Sequence, residues 1–554
     1  MNGWVNHLPI FPIVIPLVAG AVMLLFAETR RAPRTIIALV ATLANLLVAL
    51  ALAYIASDAV PSIWPDGIAV YLLGGWRAPF GIVLVLDRLS ALMLVLNAVL
   101  ALTSLIYALA RWRKAGPHFQ SLFQFLIMGV NGAFLTGDLF NLFVFVEVLL
   151  AASYGLLLHG LGESRVKAGL HYIAINLAGS FVFLIGVSLI YGVTGTLNMA
   201  DVAARASLLT QDERILFETG IAILGSAFLL KAGAWPLNFW LPSAYGTAAP
   251  PVAAVFSIMT KVGIYALLRL GSLLSGASGA SVPAPFSDGW LFGIGIITLV
   301  LGTAGILTAS QPQRLVAYCV IASAGTLLAA LGFGGTAMKG AALYYLTSSV
   351  LATGAFFMLC EMIDRTRQTG EELPLEMMEP VGQEPVDADF TDEVIGIVIP
   401  AAMAFLGMGF LACALLVAGL PPLSGFIAKF LILSATLTDT AAGPVPVTVW
   451  VLWAGMLGSS LIVIIALCRM GVHLFWSTDE IMTPRLHLGE AVPVAVLLLL
   501  SVALSIETGP AMDYLNLAGN SLSSPQIYID AVLSGSRPPG PSPVPSIPVE
   551  GIRQ

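Results

Sequence analysis

Apolar runs of about 20 residues recur along almost the whole chain. A helical run of that length spans a hydrocarbon core about 30 Å thick. Only 10% of the 554 residues are Asp, Glu, Lys or Arg, whereas soluble domains carry about 25%. Lipid must therefore surround most of the chain, and the runs are too long and too uniformly apolar for barrel strands. The sequence predicts an all-α integral membrane protein.

The hydropathy pattern predicts about fourteen transmembrane helices. The predicted spans are 8–27, 35–56, 81–110, 119–136, 139–158, 168–191, 215–233, 249–270, 289–309, 314–332, 338–361, 394–436 (interrupted), 447–470 and 490–507. The first span is long enough to cross the bilayer, and its basic residues follow it rather than precede it. We therefore expect a retained helix rather than a cleaved signal peptide.

Lysine and arginine concentrate in the loops that follow odd-numbered spans. These residues are Arg30, Arg31, Arg34, Arg111, Arg113, Lys114, Arg165, Lys167, Arg314, Arg365 and Arg367. Short cytoplasmic loops carry such an excess. We therefore expect both termini to be non-cytoplasmic and the acidic loop 368–393 to lie in the cytoplasm.

Two predicted spans contain helix breaks. Pro236 follows Lys231 in the seventh span, and Pro421 and Pro422 interrupt the twelfth span shortly before Lys429. Proline removes a backbone donor and clashes with the preceding turn. Broken helices survive at membrane depth only where protein or water covers the freed polar groups, and in transporters they point to the ion site.

Four charged residues lie inside apolar stretches: Glu147, Lys231, Lys261 and Lys429. A charge at the bilayer centre costs roughly 2.5–3.5 kcal/mol on insertion scales, so such residues usually mark ion or proton pathways. Lysine can release a proton near neutral pH when it is buried, whereas arginine cannot. We expect a proton-transfer chain, with Glu147 as a candidate partner of Lys231. The alternative is a set of static ion pairs and snorkelling side chains.

Other charged residues in or near spans have weaker claims to a function. Asp138, in the turn between the fourth and fifth spans, and His171, at the start of the sixth, are possible accessory groups. Asp87 and Arg88 are predicted to be structural interface charges. Arg269 is predicted to anchor its helix at the outer interface.

The remaining sequence gives no sign of a cofactor or a metal. There is no dinucleotide or P-loop fingerprint, and the four cysteines are scattered without a CxxC spacing. The chain also lacks a basic nucleic-acid footprint, so we expect no nucleic-acid partner. From Ser521 onward, a composition that ends in a proline-rich stretch predicts an extended tail.

Several of these segments resemble one protein family. The segments are 136–147, which ends at Glu147; 231–237, which begins at Lys231; 249–252, which leads into Lys261; and 419–426, which leads to Lys429. Over residues 80–470 the chain resembles the antiporter-like subunits of respiratory complex I, membrane-bound hydrogenases and Mrp-type multisubunit Na⁺/H⁺ antiporters. The stretch around Glu147 and the ending 528–533 look most like the D-type member of the Mrp group.

The resemblance implies an organisation and a set of roles. Helices 4–8 and 9–13 would form two inverted five-helix repeats with helices 7 and 12 broken, in a bacterial cytoplasmic (inner) membrane. Glu147 and Lys231 would be an ion pair, Lys261 a central relay and Lys429 an end station. The implied regions are 1–115 (helices 1–3), 116–273 (first repeat), 286–470 (second repeat, with loop 368–393), 471–520 (helix 14) and 521–554 (a non-cytoplasmic tail).

One position departs from the family pattern. Relatives commonly have histidine where Ser348 stands, next to Thr347. A hydroxyl can organise water but does not titrate near neutral pH. We expect the path between Lys261 and Lys429 to depend on water or on another group.

The sequence therefore predicts a transporter subunit rather than an enzyme. It would translocate protons within a monovalent cation/proton antiporter, and its partners would be other membrane subunits, protons, Na⁺ or a similar cation, and lipid. One alternative is a proton-pumping subunit of a redox complex, which would use the same residues. Another is an assembly scaffold whose buried charges only set helix pairing.

Overall fold

The computed structural model describes residues 4–27, 30–57, 64–111, 118–160, 162–277, 288–368, 401–438, 445–476 and 486–534. The acidic loop 368–393, except for its first residue, and the proline-rich end of the tail lie outside these residues.

The described chain consists almost entirely of helices. In chain order they are α1 (Phe11–Leu24), α2 (Arg31–Ala56), α3 (Arg88–Arg111), α4 (Phe119–Leu135), α5 (Leu139–Leu157), α6 (Glu163–Thr194), α7 (Met199–Ala206), α8 (Gln211–Ala232), α9 (Leu241–Thr247), α10 (Pro250–Ala277), α11 (Asp288–Thr308), α12 (Pro312–Phe333), α13 (Thr336–Gln368), α14 (Ala401–Ala418), α15 (Ser424–Thr438), α16 (Val447–Phe475), α17 (Leu488–Ile506), α18 (Thr508–Ser523) and α19 (Pro525–Ser534). A 3₁₀ helix, Val5–Ile10, precedes α1.

The fourteen predicted spans are confirmed within the described residues. Thirteen segments are at least 18 residues long and apolar enough to cross a membrane, and α4, at 17 residues, is the fourteenth. The chain is a multi-pass, all-α membrane protein.

The predicted start of the third span is wrong. Residues 83–86 form a β-strand, β2 (Val83–Leu86), which pairs antiparallel with β1 (Ala69–Leu72) in a two-stranded sheet. The transmembrane helix α3 begins only at Arg88. Hydropathy alone did not separate the strand from the helix, because every side chain of β2 is apolar and buried.

The prediction of an extended tail from Ser521 is also wrong for the residues that the structure describes. Pro525–Ser534 is a helix, α19, with Tyr528, Ile529 and Val532 buried. These side chains are spaced one helical turn apart, so a single face of the helix packs against the bundle.

Three helices form the centre of the bundle. The most apolar stretch of α10 is 94% buried, and those of α12 and α13 are each 89% buried. The corresponding stretches of α2, α14 and α16 are only 33% buried, so these helices present most of their surface outward. Lys261 belongs to α10 and therefore lies in the most enclosed helix of the protein.

Both predicted helix breaks are present. Helix α8 ends at Ala232 and α14 ends at Ala418, and each is followed by a glycine with a left-handed backbone, Gly233 (φ 71°) and Gly419 (φ 75°). Glycine adopts this conformation without steric cost and commonly ends helices. The Trp235–Pro236 and Pro421–Pro422 bonds are cis.

Candidate functional site

Glu147 and Lys231 contact the same turn of α6. The Lys231 ammonium donates to the carbonyl oxygen of Asn176 at 3.2 Å and to its side-chain oxygen at 3.3 Å. Ser180, one turn further along α6, donates to Glu147 Oε1 and also lies 3.0 Å from the Asn176 carbonyl oxygen. The ion pairs found within the described residues do not include Glu147 with Lys231. Asn176 and Ser180 therefore bridge the two charges.

Ser180 has two acceptors for one proton. A hydroxyl carries a single hydrogen, so Ser180 can donate either to Glu147 or to the Asn176 carbonyl oxygen at one time. That carbonyl oxygen is also a ligand of Lys231. A change of charge on Glu147 can therefore alter the hydrogen bonding of Lys231 through this one side chain.

A small cavity lies beside Lys231. It has a volume of about 20 Å³, and its wall includes Asn176, Lys231 and, from α10, Met259 and Val262. A water molecule needs roughly 10–15 Å³ of this kind of volume and two to four polar partners. The cavity is therefore large enough for one water between Lys231 and the part of α10 that carries Lys261.

Lys261 is the most deeply buried of the candidate charges. Its side chain is 1% exposed, and its ammonium donates to the Ser323 hydroxyl of α12 at 3.0 Å. Thr326 lies one turn beyond Ser323, and the Tyr345 hydroxyl of α13 lies beside both of these hydroxyls. Because hydroxyls both donate and accept, these residues offer Lys261 a route of polar groups toward α13.

Helix α12 also reaches the vicinity of Lys429. Cys319, one turn before Ser323, is close enough to Lys429 for a direct electrostatic interaction. Residues four apart lie on one helix face. The same face of α12 therefore lies beside Lys261 at Ser323 and near Lys429 at Cys319.

Lys429 folds back over the helix break that precedes it. Its ammonium donates to the carbonyl oxygens of Ala418 (2.9 Å) and Val417 (3.3 Å) at the end of α14, and to the Ser460 hydroxyl of α16 (2.7 Å). The last carbonyls of a helix lack partners within the helix and carry partial negative charge. Lys429 supplies the donor that these carbonyls need.

Ser348 and Thr347 lie on α13, but only Ser348 contacts the second break. Its hydroxyl is 2.9 Å from the Ser424 hydroxyl at the start of α15. Thr347 donates instead to the Leu343 carbonyl oxygen of its own helix at 2.9 Å. Ser348 is 2% exposed, so it is a buried hydroxyl close to the helix that carries Lys429.

Asp138 and His171 lie away from the lysines in the hydrogen-bond network of the described residues. Asp138 is the N-cap of α5 and accepts from the Asn141 amide at 2.9 Å. Burial raises the pKa of its carboxyl, against the opposing effect of hydrogen bonds from the backbone amides of Asn141 and Phe140. His171 is exposed, and its ring nitrogen contacts the Lys167 carbonyl oxygen one turn earlier.

The prediction that Arg269 anchors its helix at an interface is wrong. Arg269 is 4% exposed and makes two hydrogen bonds of 2.7 Å to the carboxylate of Asp87. The rings of Tyr265 and Tyr528 lie near its guanidinium, at 5.4 and 5.0 Å from ring centroid to Cζ. The C-terminal helix α19 covers the pair through Tyr528. This packing was not apparent from the sequence.

Sequence reasoning missed the neutral partners of the charged residues. Asn176, Ser180, Ser323 and Ser460 are the polar side chains that contact Glu147 and the three lysines. Asn176 and Ser180 lie four residues apart in an apolar span, and that spacing was the one usable signal. Serines are frequent in membrane helices, so Ser323 and Ser460 carried no comparable signal.

Comparison with known proteins agrees with this arrangement. The family described as "NADH:quinone oxidoreductase/Mrp antiporter, TM" matches residues 136–460, a range that contains Glu147 and all three lysines. The chain belongs to this family. The resemblance inferred from the motifs is confirmed.

Relatives of this family cover nearly the whole chain, and both of those described here are D-type members of their antiporters. The chain is 50% identical to a probable K⁺/H⁺ antiporter subunit of Rhizobium meliloti, over 97% of this chain and 99% of the relative. It is 33% identical to a Na⁺/H⁺ antiporter subunit of Bacillus subtilis, over 95% of this chain and 99% of the relative. These names agree with a transporter subunit rather than an enzyme.

A solved structure has the same fold. A chain of the Mrp complex from a Dietzia species superimposes with a TM-score of 0.78 at 25% identity, covering 95% of this chain and 99% of that one. The likeness to Mrp subunits therefore holds for the sequence and for the fold.

Proposed function

We propose that this chain is the proton-translocating subunit of a multisubunit monovalent-cation/proton antiporter in a bacterial cytoplasmic membrane. Glu147 and Lys231 would form the first proton-exchanging pair, Lys261 the central relay and Lys429 the end of the chain. Both termini would be non-cytoplasmic. The observation that carries this proposal is the bridge from Glu147 through Ser180 and Asn176 to Lys231, which is 9% exposed.

The proposed proton movement follows from the chemistry of these groups. When Glu147 gains a proton, its attraction for a hydrogen-bond donor and for the Lys231 ammonium falls. Ser180 is then free to turn toward the Asn176 carbonyl oxygen. Lys231 can pass a proton to water in the adjoining cavity, and Lys261 can accept it from the α10 side. Each transfer moves one proton between a lysine nitrogen and a water oxygen.

The second part of the chain depends on hydroxyls. Ser323, Thr326 and the Tyr345 hydroxyl lie on the side of Lys261 that faces α12 and α13. Ser348 and Ser424 continue the polar groups toward α15. These groups support a hydroxyl-and-water route where the family pattern commonly places histidine.

The position of Glu147 supports a role in an assembly. Glu147 is only half buried although it lies in the middle of the transmembrane helix α5. A carboxylate that faces lipid at this depth is costly. We infer that a neighbouring membrane subunit covers this side of α5. The transported cation would be K⁺ or Na⁺, since the relatives are named for both.

The alternative of a redox-driven proton pump would use the same residues. The relatives named above favour the antiporter, because both are antiporter subunits. Purification of the intact assembly would separate the two: iron–sulfur proteins among the co-purifying subunits would point to the pump. A scaffold without transport would instead lose assembly on mutation of Lys231, with no separate transport defect.

Antiport in everted vesicles tests the proposal. Glu147→Ala and Lys231→Ala should each abolish cation-induced proton release from vesicles energised by respiration, while the other subunits still co-purify. Glu218→Gln is a matched control, because this acidic residue also lies on a transmembrane helix, α8, but pairs locally with Arg214 at 3.1 Å. Full antiport by the two alanine variants would refute the proposal.

A further inference from the structure

A second group of titratable side chains lies where α3, α13 and α17 meet. The Tyr107 hydroxyl donates to Glu361 Oε2 at 2.6 Å. Arg365 Nη1 is 3.0 Å from Glu490 Oε1, and Arg365 Nε is 3.8 Å from Glu361 Oε1. Two carboxylates therefore share one guanidinium. We call Tyr107, Glu361, Arg365 and Glu490 the carboxylate cluster.

Glu490 is the unusual member of this cluster. Its side chain is fully buried, at 0% exposure, and neither of its oxygens has a hydrogen bond of good geometry within the described residues. Buried polar atoms without such a bond are rare in folded proteins and call for an explanation. In the described part of the chain, an ionised Glu490 is held by Coulomb attraction to Arg365, whereas a bound proton would remove its charge.

The surrounding elements add little positive charge to the cluster. From the start of α6, Arg165 lies within electrostatic range of Glu361, but it donates to the carbonyl oxygens of Thr247 and His159. From α12, Gln313 donates to Asp364, a third acidic side chain. Helix α14 packs against α13 and has no charged residue. Among the described residues, one arginine therefore serves as the close ion-pair partner of both Glu361 and Glu490.

The cluster lies next to the broken helix of the Lys231 site. Phe357, one turn before Glu361 on α13, contacts the ring of Tyr245 with centroids 6.4 Å apart. Tyr245 belongs to α9 and lines the cavity beside Lys231. Arg165 bonds to Thr247 at the end of the same short helix. Helix α9 thus connects the cluster to the cavity.

The charge pattern of the loops places the cluster at the predicted cytoplasmic end. Helices α3 and α13 are odd-numbered spans and end there, and α17, the last span, begins there. Glu361, Arg365 and Glu490 all lie within a few residues of these helix ends. A proton that moves between the Lys231 cavity and the cytoplasm would pass this end of the bundle.

We propose that Glu361 and Glu490 form a proton-binding site, held by Arg365 and Tyr107, between the Lys231 cavity and the cytoplasm. The inference rests on the proposed function, because it places this site on the same proton path. One proton from water binds one of the two carboxylates, and the other keeps its ion pair with Arg365. Release returns the proton to water, so no other bond is made or broken.

Infrared difference spectroscopy on the purified, reconstituted complex tests the site directly. A pH step should produce a carbonyl band of a protonated carboxyl in the wild type. The band should disappear in the Glu361→Gln, Glu490→Gln double variant and persist in Glu218→Gln. In everted vesicles the double variant should also show slower antiport with a shifted pH profile. An unchanged spectrum in the double variant would overturn the inference.

A milder variant covers the case in which the double variant does not assemble. Tyr107→Phe removes only the hydroxyl that bonds to Glu361 and keeps the ring. It should shift the frequency of the carboxyl band because the hydrogen bond is lost, and an unshifted band would overturn the inference. If Glu147 and Lys231 variants lose antiport while the cluster variants match the wild type, only this inference fails. If the Glu147 and Lys231 variants keep antiport, the proposed function fails.

Discussion

Glu147 and Lys231 are joined by a single turn of α6, in which Ser180 contacts the carboxylate and Asn176 receives the ammonium. The arrangement differs from a direct ion pair because neutral groups transmit the change of charge. A direct pair in a low-dielectric interior is hard to separate. A bridged pair needs only a hydroxyl rotation to change the hydrogen bonding of the lysine.

Removal of the bridging hydroxyl should slow antiport without unfolding the protein. We expect Ser180→Ala to lower the antiport rate about two- to tenfold, since one hydrogen bond is worth about 0.5–1.5 kcal/mol. Ser226→Ala is the matched control: this serine of α8 is exposed and bonds only to the Ala222 carbonyl oxygen of its own helix. Rates measured in everted vesicles at equal subunit content would decide, and equal rates for the two variants would contradict the bridge.

Gly419 should be required for the position of Lys429. A Cβ at Gly419 would lie 2.6 Å from Lys429 Cδ, and the backbone there has φ +75°. Gly419→Ala should therefore push the ammonium away from the Ala418 carbonyl oxygen and remove most antiport activity. Gly407→Ala, in α14, meets nothing within 4 Å and should be neutral. A cryo-EM map of the Gly419→Ala complex with Lys429 in its original place would contradict this prediction.

The Asp87–Arg269 pair should matter for stability rather than transport. Both side chains are 5% exposed, and the contact is 2.7 Å. Loss of one partner from a buried ion pair costs roughly 3–5 kcal/mol because the other charge is left uncompensated. We expect Asp87→Asn to lower the melting temperature of the purified complex, and the Asp87→Asn, Arg269→Gln double variant to recover part of the loss. A melting temperature unchanged by Asp87→Asn would show that the pair is not needed.

The sequence was sufficient to predict most of the fold. Twenty-residue apolar runs place helices reliably because the bilayer leaves few alternatives. The β2 strand was missed because an apolar run before Arg88 has the same hydropathy whether it is strand or helix. Helix α19 was missed because a proline-rich composition follows it. The two inverted repeats and their boundaries remain predictions.

The site was predictable only in its charged members. Glu147 and the three lysines stand out because a charge in an apolar run is costly. Asn176 and Ser323 became visible only through packing, since a neutral polar residue in a span has no fixed partner. Glu490 was overlooked for another reason: at the start of a span it looks like an interface charge, and its burial arises from the packing of α3, α13 and α17.

The central claim is that a buried lysine must lose and regain its proton during transport, and Lys261→Arg tests it most directly. Arginine keeps the positive charge but does not deprotonate in proteins. In proteoliposomes that contain the purified complex, we predict that this variant assembles and loses cation-driven proton flux. Lys339→Arg, a control at the end of α13 where Lys339 bonds to Leu522 and Ser523, should keep it. Wild-type flux through the Lys261→Arg complex would contradict the account.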